Sequence, residues 1–386
     1  MKVLFIVNSF MGKPGNVGFR INKIIENGSI QDATVISRGV YGYRNNRFSY
    51  YSMGFLGHFS RALNGFRIYF LKNFKSRLYD KFLFEIFCFL ALNINEFKRK
   101  DRTVRSVAHV MEFSPKIISW LKERNYHVIL DVPIAPTTYV KKLKKFEVYK
   151  QFSDTSYMEK YERRSFELAD LITVPSQFVK NEIVELGISE DKIKIIPFGV
   201  DLLEKEESRK LDENLDTQVN YCFAGIVNSR KGVDYLLDAW NCSEFKNDRL
   251  HLCGRLSPHI QKKIKILGLK NVITPGFVDI YDYLTNNPGV YVFPSLMEGS
   301  SKSVYEAMNC SFPIITTFES GSIVRDGIDG YIVEKCSVED LKNKMLLFKN
   351  NPEKIEVMGS NANKYVKNYT WKKYSNDYCD LYIGNI

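Results

Sequence analysis

Short apolar runs rich in β-branched residues recur along the chain between longer amphipathic stretches. Val3–Val7, Ala33–Ser37, Val128–Leu130, Leu171–Val174 and Ile193–Ile196 read as strands of this kind. Runs of that length, separated by helical periodicity, are the pattern of a parallel sheet covered by helices. The alternation breaks at Asp201–Gln218 (DLLEKEESRKLDENLDTQ), which is charged, lacks aromatics and contains no strand, as a linker does. It then restarts with a strand at Tyr221–Ala224, a helix over Val233–Trp240, and strands at Leu250–Cys253, Val290–Phe293 and Pro313–Thr316. The pattern predicts an α/β protein with a first domain over 1–200, a linker over 201–218 and a second domain from 219 to about 368.

The chain has 386 residues, of which 45% are hydrophobic, enough for two cores, since single cores seldom grow past roughly 250 residues. Its seven cysteines are odd in number and scattered, with no C-x-x-C pair, which predicts reduced thiols in a cytoplasmic setting and no metal-ligand cluster. MKVLFIVNSF lacks a small-residue cleavage site and reads as a buried first strand. The longest apolar stretch, Phe82–Ile94, is interrupted by Glu85 and is shorter than the ~20 residues of a spanning helix.

Charge changes the picture of the first part. The formal net charge is +11, and residues 1–150 hold 26 Lys+Arg against 10 Asp+Glu, with 29 against 34 in the remainder. Such a field favours an anionic partner: phospholipid, nucleic acid or a phosphorylated acceptor. Between Phe59 and Lys100, aromatic and aliphatic residues alternate with Arg and Lys at near-helical spacing, which suits either a helix lying on an anionic bilayer or a core helix with snorkelling basic residues. The run KKLKK, Lys141–Lys145, adds weight to the bilayer reading. No nucleic-acid recognition motif is present.

The stretch with the most chemistry is VYVFPSLMEGSSKSVYEAMNCSFPIITT, from Val290 to Thr317. It reads as strand, Pro-Ser turn, acidic-glycine loop, then a helix starting near Ser300 and Ser301 and ending before Pro313. Free amides at a helix start attract phosphate, and Gly299 lets the chain approach it. Glu298 in the loop and Glu306 two turns into the helix can accept hydrogen bonds from sugar and ribose hydroxyls. Arg230 and Lys231 precede Gly232 at another helix start, so two cations and a helix N-terminus can converge on one diphosphate; a solvated basic pair is the alternative.

The spacing of Glu298 and Glu306 resembles the E-x7-E signature of glycosyltransferase family 4 (group 1), whose members are retaining enzymes with the GT-B architecture. CFAGIVNSRKGVDYLLDAW, Cys222–Trp240, resembles the first strand, loop and helix of that family's donor domain, and Lys231 falls on its phosphate-binding lysine. ELADLITVPSQFVKNEIVELGISEDKIKIIPFGVD, Glu167–Asp201, resembles the end of its N-terminal domain. The resemblance implies two Rossmann-like domains with parallel sheets facing across a cleft. It implies that Glu298 holds donor-sugar hydroxyls, that Gly225, Gly299, Ser300 and Ser301 hold sugar and diphosphate, and that Glu306 binds ribose. HLCGR, ITPGFV and DGIDGYIV fit the same template, and the second lies beside the base in the family, so either Phe277 packs there with Val278 or it belongs to the core. YTWKKY, Tyr369–Tyr374, resembles the closing helix, over 369–386, that crosses back to the first domain.

Departures from the family sit at both ends of the cleft. Ile226 stands where many relatives have an arginine, which leaves Arg230 as the substitute cation. After the first strand the chain reads NSFMGKPGNVGFR, where Gly12, Gly15 and Gly18 make a flexible loop beside the donor. Where most members place a histidine at the end of a central strand, HVILDVPIAP offers Asp131, which either binds a sugar hydroxyl or takes the acceptor's proton, or serves as a helix N-cap or turn residue. His109, in VAHV, reads as structural.

The reaction implied is transfer of a hexose-type sugar from a nucleoside-diphosphate sugar to a cell-surface glycan or lipid-linked acceptor, by front-face displacement with retention. No cofactor is implied, and with no D-x-D pair at a plausible metal site the reaction reads as metal-independent. A cytoplasmic protein peripheral on the inner face of the cell membrane follows. The competing readings are an inactive membrane-surface scaffold of the same fold and a sugar-nucleotide epimerase.

Overall fold

The computed structural model describes residues 2–12, 17–41, 48–58, 77–97, 106–143, 156–203 and 218–384. The strands form two parallel sheets. The first joins β1 (Lys2–Met11), β2 (Asp32–Val40), β3 (Ser49–Ser52), β4 (Ser106–Met111), β5 (Tyr126–Asp131), β6 (Leu171–Val174) and β7 (Ile193–Ile195), in the spatial order β3-β2-β1-β4-β5-β6-β7. The second joins β8 (Asn220–Ala224), β9 (Arg249–Cys253), β10 (Val272–Gly276), β11 (Gly289–Phe293), β12 (Ile314–Thr317) and β13 (Gly330–Val333), in the order β10-β9-β8-β11-β12-β13. Each order reverses direction once, between β1 and β4 and between β8 and β11. In open α/β sheets such a reversal opens a crevice at the carboxyl ends of the strands, where ligands bind.

Continuous apolar runs make these strands because helices cover both faces. Leu4, Ile6, Ala108, Val110, Val128 and Leu130 pack into one core of the first sheet, and Val3, Phe5, Val7, Val107 and Ile129 into the other. The alternation along one strand therefore sorts its residues to opposite layers. Trp371, Tyr374, Tyr378 and Tyr382 of the C-terminal helix (Trp371–Ile383) complete the second of these layers, against the first helix (Gly18–Asn27). The chain thus returns to the first domain. Its return runs beside the outgoing connection: Val200 N donates to Tyr369 O at 2.9 Å.

β1 reaches Met11 and β2 reaches Val40, beyond the runs visible in the sequence, and the edge strand β3 (SYYS) has no apolar run to announce it. Of the linker stretch, 204–217 lie outside the described residues. Asp201 is held on three sides, by Lys23 Nζ at its carboxylate and by Tyr281 and Asn309 at its carbonyl.

Within the basic-aromatic stretch, 59–76 and 98–100 lie outside the described residues, and Arg77–Phe97 is a helix. Phe84, Cys88, Ala91 and Leu92 face the core, while Phe82, Leu83, Ile86, Leu90 and Ile94 are exposed. Of KKLKK, Lys144 and Lys145 lie outside the described residues; Lys141 pairs with Glu159 and Lys142 with Glu182 and Glu185. No helix among the described residues is long and apolar enough to cross a membrane.

Candidate active site

The second sheet's crevice is built by two loops. After β8 a single 3-10 turn, Ser229–Lys231, is capped by Asn228, whose Oδ1 accepts from Lys231 N at 3.2 Å. Gly232 closes it with φ 72°, and a Cβ there would stand 1.8 Å from Pro294 O, so backbone freedom and close approach both require glycine. After β11 the loop 294–301 crosses this turn, and Leu296 N donates to Arg230 O at 3.0 Å.

These anchors bring three charges together. Glu298 Oε1 lies 2.5 Å from Arg230 Nη1 and 2.6 Å from Lys231 Nζ. Arg230 Nη1 also donates to Met297 O at 2.6 Å, and the Lys231 ammonium sits 4.8 Å above the Phe293 ring. Burial lowers the Lys231 pKa and the neighbouring Arg230 adds to the fall, with Glu298 opposing both. Two cations share one carboxylate, so the cluster keeps a positive excess for an incoming anion.

The loop then runs into the helix Lys302–Asn309. Its N-cap, Ser301, makes no side-chain capping bond; Ser301 Oγ faces Ser303 Oγ at 3.3 Å and Ser300 Oγ pairs with Tyr305 OH at 2.7 Å. The first-turn amides are thus left without a capping side chain, the condition under which a helix start takes an anion. One turn on, Glu306 pairs with Lys302 at 2.9 Å. Burial raises the Glu306 pKa against the pull of Lys302, and Asp201 and Asp279 add to the rise. Asp279 follows Val278 and caps the helix Ile280–Asn286 by accepting from Tyr281 N and Asp282 N, so Glu306 and the 277–279 loop belong to one end of the site.

For two glycines and Phe277 the structure adds what the sequence left open. Gly299 is pressed against the first domain: a Cβ would fall 1.7 Å from Pro133 O, and Gly299 O accepts from Ser176 Oγ at 2.6 Å. Gly225, at φ 141°, has no atom within 4 Å of an added Cβ, so its conformation alone calls for glycine. Phe277 is 97% exposed, which removes the core alternative for it, while Val278 packs on the second domain's core.

In the first domain, Gly12 is pinned: a Cβ would meet Tyr41 O at 2.1 Å, and Tyr41 N donates to Met11 O at 3.1 Å. Gly18 opens the first helix, which corrects its loop reading, and residues 13–16, Gly15 among them, lie outside the described residues. Asp131 is also corrected. It ends β5 and is neither helix cap nor turn, and it is 2% exposed beneath the C-terminal helix. Arg20 Nη1 lies 3.0 Å from both its oxygens, His109 Nε2 at 3.3 Å and Tyr378 OH at 3.1 Å. Burial would raise its pKa, but Arg20 and His109 outweigh that and hold it below the usual aspartate range. His109 is fully buried, with Nδ1 2.6 Å from Tyr382 OH, and burial keeps it neutral.

The sequence reading missed the partners in this network: Arg20, Thr173, Tyr374, Tyr378 and Tyr382. Tyr374, Tyr378 and Tyr382 are spaced four apart, one face of a helix, and a buried tyrosine hydroxyl requires a partner. That spacing was the available signal.

Two parallel-sheet domains joined by a linker and a returning C-terminal helix, with the charged loop at the second sheet's crevice, are the GT-B architecture. Residues 204–365 match the family described as glycosyl transferases group 1, and 90–203 match glycosyltransferase family 4. The chain belongs to the group 1, family 4 glycosyltransferases. It is 33% identical over 161 residues to an uncharacterised glycosyltransferase of Methanocaldococcus jannaschii, covering 39% of this chain and 44% of the relative. It is 27% identical over 223 residues to the capsular polysaccharide biosynthesis glycosyltransferase CapM of Staphylococcus aureus, covering 52% and 57%. These matches span about half the length of the curated relatives. Among solved structures, Anabaena HepE in complex with UDP superposes with a TM-score of 0.66 at 15% identity over 100% of both chains. WaaG, a glycosyltransferase involved in lipopolysaccharide biosynthesis, gives 0.68 at 14% identity over 99% and 100%. At that identity the likeness is one of fold.

Proposed function

We propose that this chain transfers a hexose-type sugar from a nucleoside-diphosphate sugar to a cell-surface glycan or lipid-linked acceptor, with retention of anomeric configuration and without a metal. The observation that carries the reading is the Glu298 carboxylate held between Arg230 and Lys231, beside the uncapped start of the helix bearing Glu306. Along that path the chain offers, in order, a carboxylate for sugar hydroxyls, cations and amides for the diphosphate, Glu306 for ribose hydroxyls, and exposed Phe277 for the base. This is the order of groups in the donor itself.

In the proposed reaction the bond from the anomeric carbon to the phosphate oxygen breaks. The acceptor oxygen bonds to the same face of that carbon, and its proton passes to the leaving diphosphate. The chain's part is to position the donor and to meet the charge that develops on the departing phosphate. Arg230 and Lys231 supply cations there, so the chain itself provides what a metal would otherwise supply. A uridine donor is the first to try, because HepE is described in complex with UDP and UDP-glucose. The exposed apolar face of the helix Arg77–Phe97, in a basic first domain, supports delivery at an anionic membrane surface. The direct test is to incubate the protein with each nucleotide sugar and candidate acceptors and to read the anomeric configuration of any product by NMR. A product of inverted configuration overturns the mechanism.

A further inference from the structure

Two neighbouring strand ends in the first domain each do two things. Asp131 ends β5 and Thr173 is the penultimate residue of β6. The hydroxyl of Tyr378, on the C-terminal helix, lies 3.1 Å from Asp131 Oδ2 and 3.0 Å from Thr173 Oγ1, and so bridges the two strands. Its proton serves the carboxylate, and the threonine hydroxyl completes the bridge. Just beyond, the chain segments leaving these strands grip the donor loop of the second domain. Pro133, two residues after Asp131, sets its carbonyl against Gly299 closely enough that no Cβ fits. Ser176, three residues after Thr173, donates to Gly299 O at 2.6 Å. Val132 N donates to Thr173 O at 2.8 Å, which ties the two segments into one unit.

Gly299 is bonded to Glu298, whose carboxylate holds Arg230 and Lys231. The second domain therefore meets the same pair of strand ends twice, through its loop at Gly299 and through its returning helix at Tyr378. We propose that Tyr378 is a positioning residue: by locking Asp131 to Thr173 it fixes the Pro133–Ser176 cradle, and through it the place of the Glu298–Gly299 loop. The bridge is fully buried, with Asp131, Thr173 and Tyr378 all nearly or completely shielded from water, so water cannot replace the lost hydroxyl without a cavity. Contiguous packing of this kind carries displacement from one site to the other. The consequence for the donor rests on the function proposed above; the consequence for the loop does not.

Amide hydrogen exchange on the full-length chain tests this, because Leu296 N and Glu298 N are bonded within the loop's own anchorage, to Arg230 O and Glu319 O, and report its local opening. Tyr378→Phe and Thr173→Val each remove one end of the bridge at nearly constant shape. Both are expected to speed exchange at 296–301 about tenfold, while Tyr382→Phe, which loses an equally buried hydroxyl on the same helix that among the described residues bonds to His109 and to neither Asp131 nor Thr173, leaves that loop at the wild-type rate. If Tyr378→Phe does not fold, Thr173→Val carries the test. Unchanged loop exchange in the folded bridge variants, or equal acceleration in Tyr382→Phe, overturns the proposal and leaves the tyrosines as packing. Whichever nucleoside diphosphate binds wild type should bind Tyr378→Phe more weakly by a similar factor; if none binds wild type, the proposed function fails and the exchange rates still decide the positioning role.

Discussion

Lys231 Nζ and Glu298 Oε1 stand 2.6 Å apart, joining the turn after β8 to the loop after β11 at the point where the second sheet reverses its strand order. With Arg230 on the same oxygen, the carboxylate occupies two cations that a diphosphate would otherwise claim. Donor entry on this account exchanges one set of charge-assisted bonds for another, freeing Glu298 to turn to the sugar.

Glu298→Ala separates these roles. Transfer should fall at least ~100-fold, the scale on which a lost transition-state contact is felt. The free nucleoside diphosphate should bind as tightly as to wild type or more so, because both cations are released. Calorimetric titration of the variant checks this, and a large loss of diphosphate affinity contradicts it.

Phe277 is almost wholly exposed, so Phe277→Ala should leave the melting temperature within about a degree. Stacking of a base on an aromatic ring is worth about 1–3 kcal/mol. A donor that uses the ring should therefore lose roughly 5- to 150-fold in affinity, and a variant that binds donor normally removes Phe277 from the site.

Much of this was legible in the sequence, and the part that was not has a common cause. Two α/β domains followed from apolar runs whose length and spacing are local properties. Glu298, Lys231 and Glu306 were singled out because the spacing and charges that mark them are local to the chain. The cap-or-turn alternative for Asp131 failed because its partners, Arg20 and Tyr378, lie far away in sequence and no local pattern joins them. The packing of Gly299 on Pro133 was not legible because nothing in its own segment shows it. Edge strand β3 was missed because SYYS, on the sheet's rim, carries no buried apolar run.

Acid should weaken the fold before the carboxylates titrate. Burial lowers the pKa of His251 to about 4 and lowers that of His109 as well, so both rings stay neutral in the folded chain where the unfolded chain, with pKa near 6.5, binds protons. Their stabilisation is complete above about pH 6.5 and is lost as pH falls towards the folded values. Glu306 and Glu162, raised by burial, act in the opposite sense and offset part of this loss. The melting temperature should thus decline between pH 6.5 and 5.5, and His251→Asn should flatten part of that decline. A flat or rising profile across this window contradicts the assignment.

The exposed face of the helix Arg77–Phe97 gives a separate prediction. Protein should co-sediment with vesicles containing anionic lipid at low salt, less so at high salt, and poorly with neutral vesicles. Ile86→Glu and Leu90→Glu should abolish binding with little change in melting temperature, since both side chains are already exposed. Equal binding by the variants removes this face as the contact.

The most direct test of the account is a thermal-shift panel of UDP, GDP, ADP, TDP and their sugars on wild type, Lys231→Ala and Glu306→Ala. A ligand well above its dissociation constant raises the melting temperature of the folded state it binds. The account predicts that one nucleoside diphosphate stabilises wild type and neither variant, which would place the donor on these residues and name its base. If no nucleotide shifts wild type, or if the same shift persists in both variants, the donor site is not the one built by Glu298, Lys231 and Glu306.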